Sequence, residues 1–160
     1  LAVNPIFRNA KGYDIELNDP QFDNKVVVLQ IMGTWCPNCM DESKYLAELY
    51  DKYQQNGLEI IGLAYERDEY SKAITKLDRY KNAMGINYPL FYAGAATKDE
   101  ASKDFPMLTP IQAFPTLIVL DRNKKIQKIH TGFNGPATDR YVNFKLGFDS
   151  LIENLCTGKP

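Results

Sequence analysis

Val26–Met32 form an almost unbroken apolar, β-branched run, interrupted only by Gln30. A run of that length falls far short of the roughly 20 residues that cross a bilayer, and it has no polar alternate face. It therefore reads as a strand buried on both sides, which requires a sheet covered by other elements on each face. The run passes through Gly33 and Thr34 into Trp35-Cys36-Pro37-Asn38-Cys39. From Pro37 onward, Met40, Leu46, Leu49, Tyr50 and Tyr53 recur at helical spacing, which predicts a helix to about residue 55, ended near Gly57.

A second apolar run at 58–65 makes the order strand, helix, strand. That order implies a right-handed parallel crossover with the helix on one face of the sheet. Residues 70–83 read as an amphipathic helix, 88–92 as a short strand and 98–105 as a short helix. An irregular stretch with Pro106, Pro110 and Pro115 follows, because that many prolines forbid regular structure. Thr116–Leu120 and Ile126–Thr131, joined by the turn-like Asp121, Arg122, Asn123 and Lys124, read as an antiparallel hairpin. A closing helix over 139–155 carries Tyr141, Phe144, Phe148, Leu151, Ile152 and Leu155 on one side. The predicted class is α/β, one mixed sheet flanked by helices, in a single domain spanning 1–160.

At 160 residues with 44% hydrophobic side chains, the chain can bury its own core but leaves no room for a second full domain. Nineteen basic against twenty acidic residues give a net charge of -1, so the electrostatic footprint of a nucleic-acid binder is missing. The chain opens at Leu1 without methionine or a leader, and so reads as a processed or excised segment.

Three cysteines are too few for a disulfide-stapled scaffold, and two of them form a C-x-x-C at a strand-to-helix handover. Cys36 falls at the helix N-terminus, where unpaired N–H groups and the positive dipole end favour a thiolate; Cys39 lies one turn inside. Lowering a thiol pKa from about 8.5 to about 7 raises the thiolate fraction at neutral pH roughly fifteen-fold, but costs some five-fold in nucleophilicity. The larger factor is proximity, since a second thiol held nearby resolves a mixed disulfide intramolecularly. Cys36 is accordingly assigned as attacking nucleophile and Cys39 as resolving thiol. The alternatives are a structural disulfide or half of a zinc site, for which Cys156 and the sole histidine, His130, are the remaining soft ligands. Cys156 has no evident partner, and His130 also reads as an ordinary residue near a strand end.

With Gly33-Thr34-Trp35-Cys36-Pro37-Asn38-Cys39 after one strand and Phe114-Pro115-Thr116 before another, the chain resembles the TlpA/ResA-like branch of the thioredoxin superfamily. The resemblance covers nearly the whole chain and implies a thioredoxin-like fold with a central insert of about forty residues after the first β-α-β unit. It also implies a bacterial, extracytoplasmic reductase, periplasmic or membrane-anchored through a segment outside this sequence. Its partners would be a disulfide-containing protein substrate and a membrane or periplasmic electron donor. No bound cofactor is implied, the redox couple being the Cys36–Cys39 pair itself.

By the same resemblance Pro115 is a cis proline facing the cysteines, and the Phe114 backbone pairs with a bound peptide; otherwise Pro115 simply opens a strand in trans. Glu66, after the second strand, lies near where ResA-like proteins carry an active-site carboxylate. It is read either as assisting proton transfer at Cys39 or, with Arg67, Asp68 and Glu69, as part of a solvated charged loop. Trp35 is read as shielding the thiol and forming docking surface, with Tyr65 a second candidate of that kind.

Three departures from the wider pattern stand out. Gln30 replaces the acid that thioredoxin buries six residues before its first cysteine. Pro37 is first between the cysteines, leaving Asn38 an N–H that can point at the thiolate. Bulky Phe114 stands where small residues are common. Two other functional classes compete: a dithiol that carries copper, although the cysteine spacing and single histidine fit it poorly, and an oxidase, isomerase or peroxidase. The Pro-x-x-x-Thr-x-x-Cys loop by which peroxiredoxins resemble one another is absent around Thr34 and Cys36.

Overall fold

In a computed structural model, which describes residues 6–8, 14–105, 111 and 113–158, the Val26–Met32 run is a strand with no side chain more than 1% exposed. Numbered along the chain, the strands are β1 (Ile6–Arg8), β2 (Asp14–Glu16), β3 (Val26–Met32), β4 (Leu58–Glu66), β5 (Leu90–Ala95), β6 (Thr116–Leu120) and β7 (Ile126–Thr131). The helices are α1 (Pro37–Tyr53), α2 (Tyr70–Met84), α3 (Lys98–Asp104) and α4 (Asp139–Thr157). The strands form one mixed sheet in the order β2-β1-β5-β4-β3-β6-β7.

Alternation along β3 divides the interior in two. Val26, Val28 and Met32 pack with Leu46 and Leu49 of α1, Leu77 of α2, and Phe148 and Ile152 of α4. Val27, Leu29 and Ile31 pack on the other face with Ile15, Leu17 and Phe22, and with Ala101 of α3 and Phe105. Burying each such aliphatic side chain stabilises the fold by about 1.5–3 kcal/mol. A slip of one residue would exchange the two cores and drive Gln30 to the wrong face, so the register is fixed from both sides.

Strand directions then decide where chemistry can gather. β3 pairs in parallel with β4, from Val26↔Leu58 to Met32↔Ala64, so both end at the same edge of the sheet. β6 is antiparallel to β3, with Ile31 opposite Thr116, so β6 begins at that edge. The start of α1, the end of β4 and the Phe114-Pro115 approach to β6 therefore converge.

The hairpin strands β6 and β7 have the predicted bounds, and the resemblance's insert corresponds to α2, β5 and α3. The strand expected at 88–92 lies instead at Leu90–Ala95. Pro89 offers only its carbonyl, accepting from Gly62 N at 2.9 Å, and pairing continues through the small residues Gly94 and Ala95, which carry no apolar signal. α4 runs past residue 155 to Thr157, where Gly158 takes a left-handed conformation at φ 71°. Pro106 and Pro110 lie outside the described residues. Among the described residues no helix is long and apolar enough to cross a membrane.

Candidate active site

The turn from β3 into α1 is shaped by Gly33. A Cβ there would fall 2.2 Å from Trp35 Nε1 and 2.8 Å from the Tyr65 carbonyl oxygen. Without one, Trp35 folds back and donates its indole N–H to that carbonyl at 2.8 Å. The neighbouring Thr34 is held by Glu66, whose carboxylate accepts from the Thr34 backbone N–H at 2.8 Å and from its hydroxyl at 2.5 Å. Glu66 is the last residue of β4 and is 2% exposed, so the solvated-loop reading of it does not hold. Burial raises its pKa, and the two bonds from Thr34 oppose that.

Cys36 is the N-cap of α1, with extended backbone, and its Sγ accepts the Cys39 backbone N–H at 3.3 Å. Pro37 occupies the first helical turn, where its missing N–H costs nothing, and it and Asn38 are exposed. Cys36 is 4% exposed and Cys39 fully buried; both are free thiols. The Cys36 pKa is lowered to about 7, chiefly by the Cys39 side chain and then by the backbone N–H groups of Cys39 and Asn38, against the opposing effect of burial. The Cys39 pKa is raised, first by burial, then by its contact with the Cys36 sulfur and that sulfur's charge. The two thiols thus differ in acidity, Cys36 favouring the thiolate and Cys39 the protonated form. Alkylation of the reduced chain with iodoacetamide is expected to modify Cys36 with a midpoint near pH 7. Cys39 should stay unmodified at that pH, and peptide mapping across a pH series checks both.

The second wall of the site is Phe114-Pro115. Their peptide bond is cis, and the Phe114 carbonyl oxygen lies 3.7 Å from Cys36 Sγ. The Pro115 carbonyl is taken by Gly132 N at 2.8 Å. The Phe114 ring meets Trp35 edge-on at 5.2 Å, and Arg67 places its guanidinium 4.8 Å from the centre of the Trp35 ring. Trp35 and Phe114 are partly exposed beside the thiol. Tyr65, grouped with them on sequence, is 0% exposed and so offers no docking surface.

Behind Cys39 lies a group that sequence reasoning missed. Glu42 is fully buried, and neither carboxylate oxygen has a hydrogen-bond partner among the described residues. Burial pushes its pKa well up, with Gln30 opposing and the Cys36 charge adding to it. Its charge in turn raises Cys39. Gln30 lies beside this carboxyl, taking the Tyr88 hydroxyl at 2.8 Å and donating to Ser43 Oγ at 3.0 Å, and Ser43 pairs with the Tyr80 hydroxyl at 3.2 Å. The available signal was phase: Glu42 is three residues beyond Cys39, on the same helical stripe as Cys39, Ser43 and Leu46. A charged residue in a buried stripe is the informative exception.

The residues set aside for metal chemistry do not assemble. Among the described residues no three His, Cys, Asp or Glu side chains form a group that could hold a metal ion. The His130 ring lies tilted against Phe144 at 4.3 Å, and Cys156 is buried near the end of α4.

Residues 5–143 match the family model described as Redoxin. The chain belongs to the redoxin family. This redoxin chain is 28% identical over 131 residues to the thiol-disulfide oxidoreductase ResA of Halalkalibacterium halodurans, covering 82% of itself and 66% of that protein. It is 34% identical over 126 residues to ResA of Bacillus cereus, with 78% and 64% covered. It therefore spans somewhat under two thirds of the length of these curated relatives. In fold it is similar to a thiol:disulfide interchange protein of the thioredoxin family from Chlorobium tepidum, with a TM-score of 0.69, 17% identity and 96% of each chain covered. A thiol-disulfide oxidoreductase from Bacteroides fragilis gives 0.65 at 19% identity, covering 92% and 97%. The ResA-like resemblance and the thioredoxin-like fold expected from the motifs are borne out.

Proposed function

We propose that this redoxin domain catalyses thiol–disulfide exchange and acts as a reductase of protein disulfides outside the cytoplasm. The observation that carries the reading is the Cys36 sulfur at the head of α1, holding the Cys39 N–H at 3.3 Å beside the Phe114 carbonyl. The name of the ResA relatives, thiol-disulfide oxidoreductase, supports the chemistry, and the motif resemblance to the ResA-like branch supports the setting.

The Cys36 thiolate attacks one sulfur of a substrate disulfide. The Cys36–S bond forms, the substrate S–S bond breaks, and the departing thiolate takes up a proton. Glu42 then accepts the Cys39 proton, for which a carboxyl of raised proton affinity is a better base than an ordinary one. Cys39 attacks Cys36 Sγ and expels the second substrate thiolate. Two electrons have passed from the dithiol to the substrate, and a membrane or periplasmic donor restores it. Trp35 and Phe114 flank the entering disulfide, with the Phe114 backbone pairing the substrate chain. Pro115 and Asn38 line the approach and the thiolate respectively. Glu66 holds Thr34 and hence the turn, so proton transfer at Cys39 passes from Glu66 to Glu42 in this scheme.

A glutathione redox titration of the Cys36/Cys39 couple tests the direction. Trp35, the only tryptophan, is its fluorescent reporter. A midpoint well below that of glutathione is expected; one far above it would replace the reductase with an oxidase. The resolution needed is available, since 30 mV corresponds to about 1.4 kcal/mol for a two-electron couple.

A further inference from the structure

The exchange scheme leaves the side chain of Tyr65 unused, although it is completely buried next to the site. Three parts of this residue reach three different neighbours. Its carbonyl accepts the Trp35 indole N–H, and its ring lies 6.1 Å from that of Phe114. Its hydroxyl donates to Asp104 Oδ2 at 2.6 Å. Asp104 is the last residue of α3, the second helix of the insert. The same helix is fastened again by Ser102, whose Oγ accepts the Ile111 N–H at 2.9 Å, three residues before Phe114.

A buried tyrosine hydroxyl needs a partner, and a carboxylate acceptor is among the strong ones. The pairing therefore fixes α3 against β4, and the Ser102–Ile111 bond ties the same helix to a residue three positions before Phe114. Trp35 and Phe114, the two aromatic walls beside Cys36, are thus both referred to one residue. We infer that the Tyr65–Asp104 bond couples the insert helix α3 to the cleft and sets how a polypeptide disulfide is received between Trp35 and Phe114. Tyr65 is then a positioning residue for the exchange, acting through the walls and not on the reacting sulfurs. The inference rests on Cys36 being the attacking thiol. A small disulfide needs only access to that sulfur, whereas a polypeptide must also be aligned along the Phe114 wall, and alignment is what a displaced wall loses.

The test compares single-turnover oxidation of the reduced chain by a cystine-bridged peptide and by cystamine, both followed by Trp35 fluorescence. Tyr65→Phe keeps the ring and the carbonyl but removes the hydroxyl. It is expected to slow the peptide reaction about ten-fold and the cystamine reaction less than two-fold. Asp104→Leu should reproduce this from the other side of the bond. Asp104→Asn, which keeps an acceptor oxygen, should restore most of the peptide rate, and Tyr65→Phe/Asp104→Leu should be no slower than either single variant. If the variants slow both disulfides equally, or slow neither, the inference is overturned while the exchange reading stands. If the unmodified chain reacts with neither disulfide, the exchange reading itself fails and takes the inference with it. Should Tyr65→Phe fold poorly, the Asp104 pair alone decides, because Asp104 is only partly buried.

Discussion

Cys39→Ser is expected to stop the reaction halfway, leaving the chain joined to its substrate through Cys36. The serine hydroxyl cannot expel the bound thiolate, so release must wait for an external thiol. Intramolecular attack by a held group is worth on the order of 10^5 M or more in effective concentration, about 10^8-fold over millimolar external thiol, so turnover should fall by far more than about 10^3-fold. Cys36→Ser should form no adduct, because the two remaining thiols, Cys39 and Cys156, are both buried with raised pKa values. Non-reducing electrophoresis after mixing with a cystine-bridged peptide distinguishes the two variants. Accumulation of adduct on Cys36→Ser, or rapid release from Cys39→Ser, would reverse the assignment of roles.

Glu42→Gln should make the protein more stable and a slower enzyme. The Glu42 carboxyl has a higher pKa folded than unfolded, because burial disfavours its charge. Folding then binds protons, and the stability it allows is fully present below the unfolded value and declines as pH rises through the folded one. The glutamine has no such charge to bury, so its advantage should be absent near pH 4. At pH 8 it should reach about 1–3 kcal/mol, the usual scale for relieving a buried unpaired charge. Urea unfolding at the two pH values measures this directly. The same variant loses the base beside Cys39, and resolution of the mixed disulfide should slow by about 10^2-fold, as general base catalysis commonly contributes. A variant that gained stability but resolved at the normal rate would leave Glu42 a structural burden and nothing more.

The parts of this domain that were legible in its sequence are those with a repeating physical cause. The double-sided burial of β3 was written in its β-branched run, and the site's position followed from Cys36 and Pro37 sitting where that run meets an amphipathic helix. Phe114-Pro115-Thr116 marked the opposite wall, and the strand directions bring it beside Cys36. What was not legible depends on tertiary neighbours. Glu66 looked like one of four consecutive polar residues, yet a parallel pairing with β5 carries it into the sheet and Thr34 gives it two donors. Tyr65 looked like a surface aromatic because nothing local shows that α3 will cover it. Glu42 could have been found by helical phase, but its meaning depends on Gln30 and Cys39 arriving beside it. The three-residue strands β1 and β2 left no periodic signal at all.

The central claim is that Cys36 and Cys39 join and separate reversibly. Intact-mass and peptide mapping of the chain, equilibrated alternately with oxidised and reduced dithiothreitol and then alkylated, measures it most directly. The expected result is one alkyl group, on Cys156, and a linked Cys36–Cys39 peptide in the oxidised state, against three alkyl groups in the reduced state after denaturation, with the two states interconverting. A bridge to Cys156, or a mass that does not change between the two conditions, would contradict it.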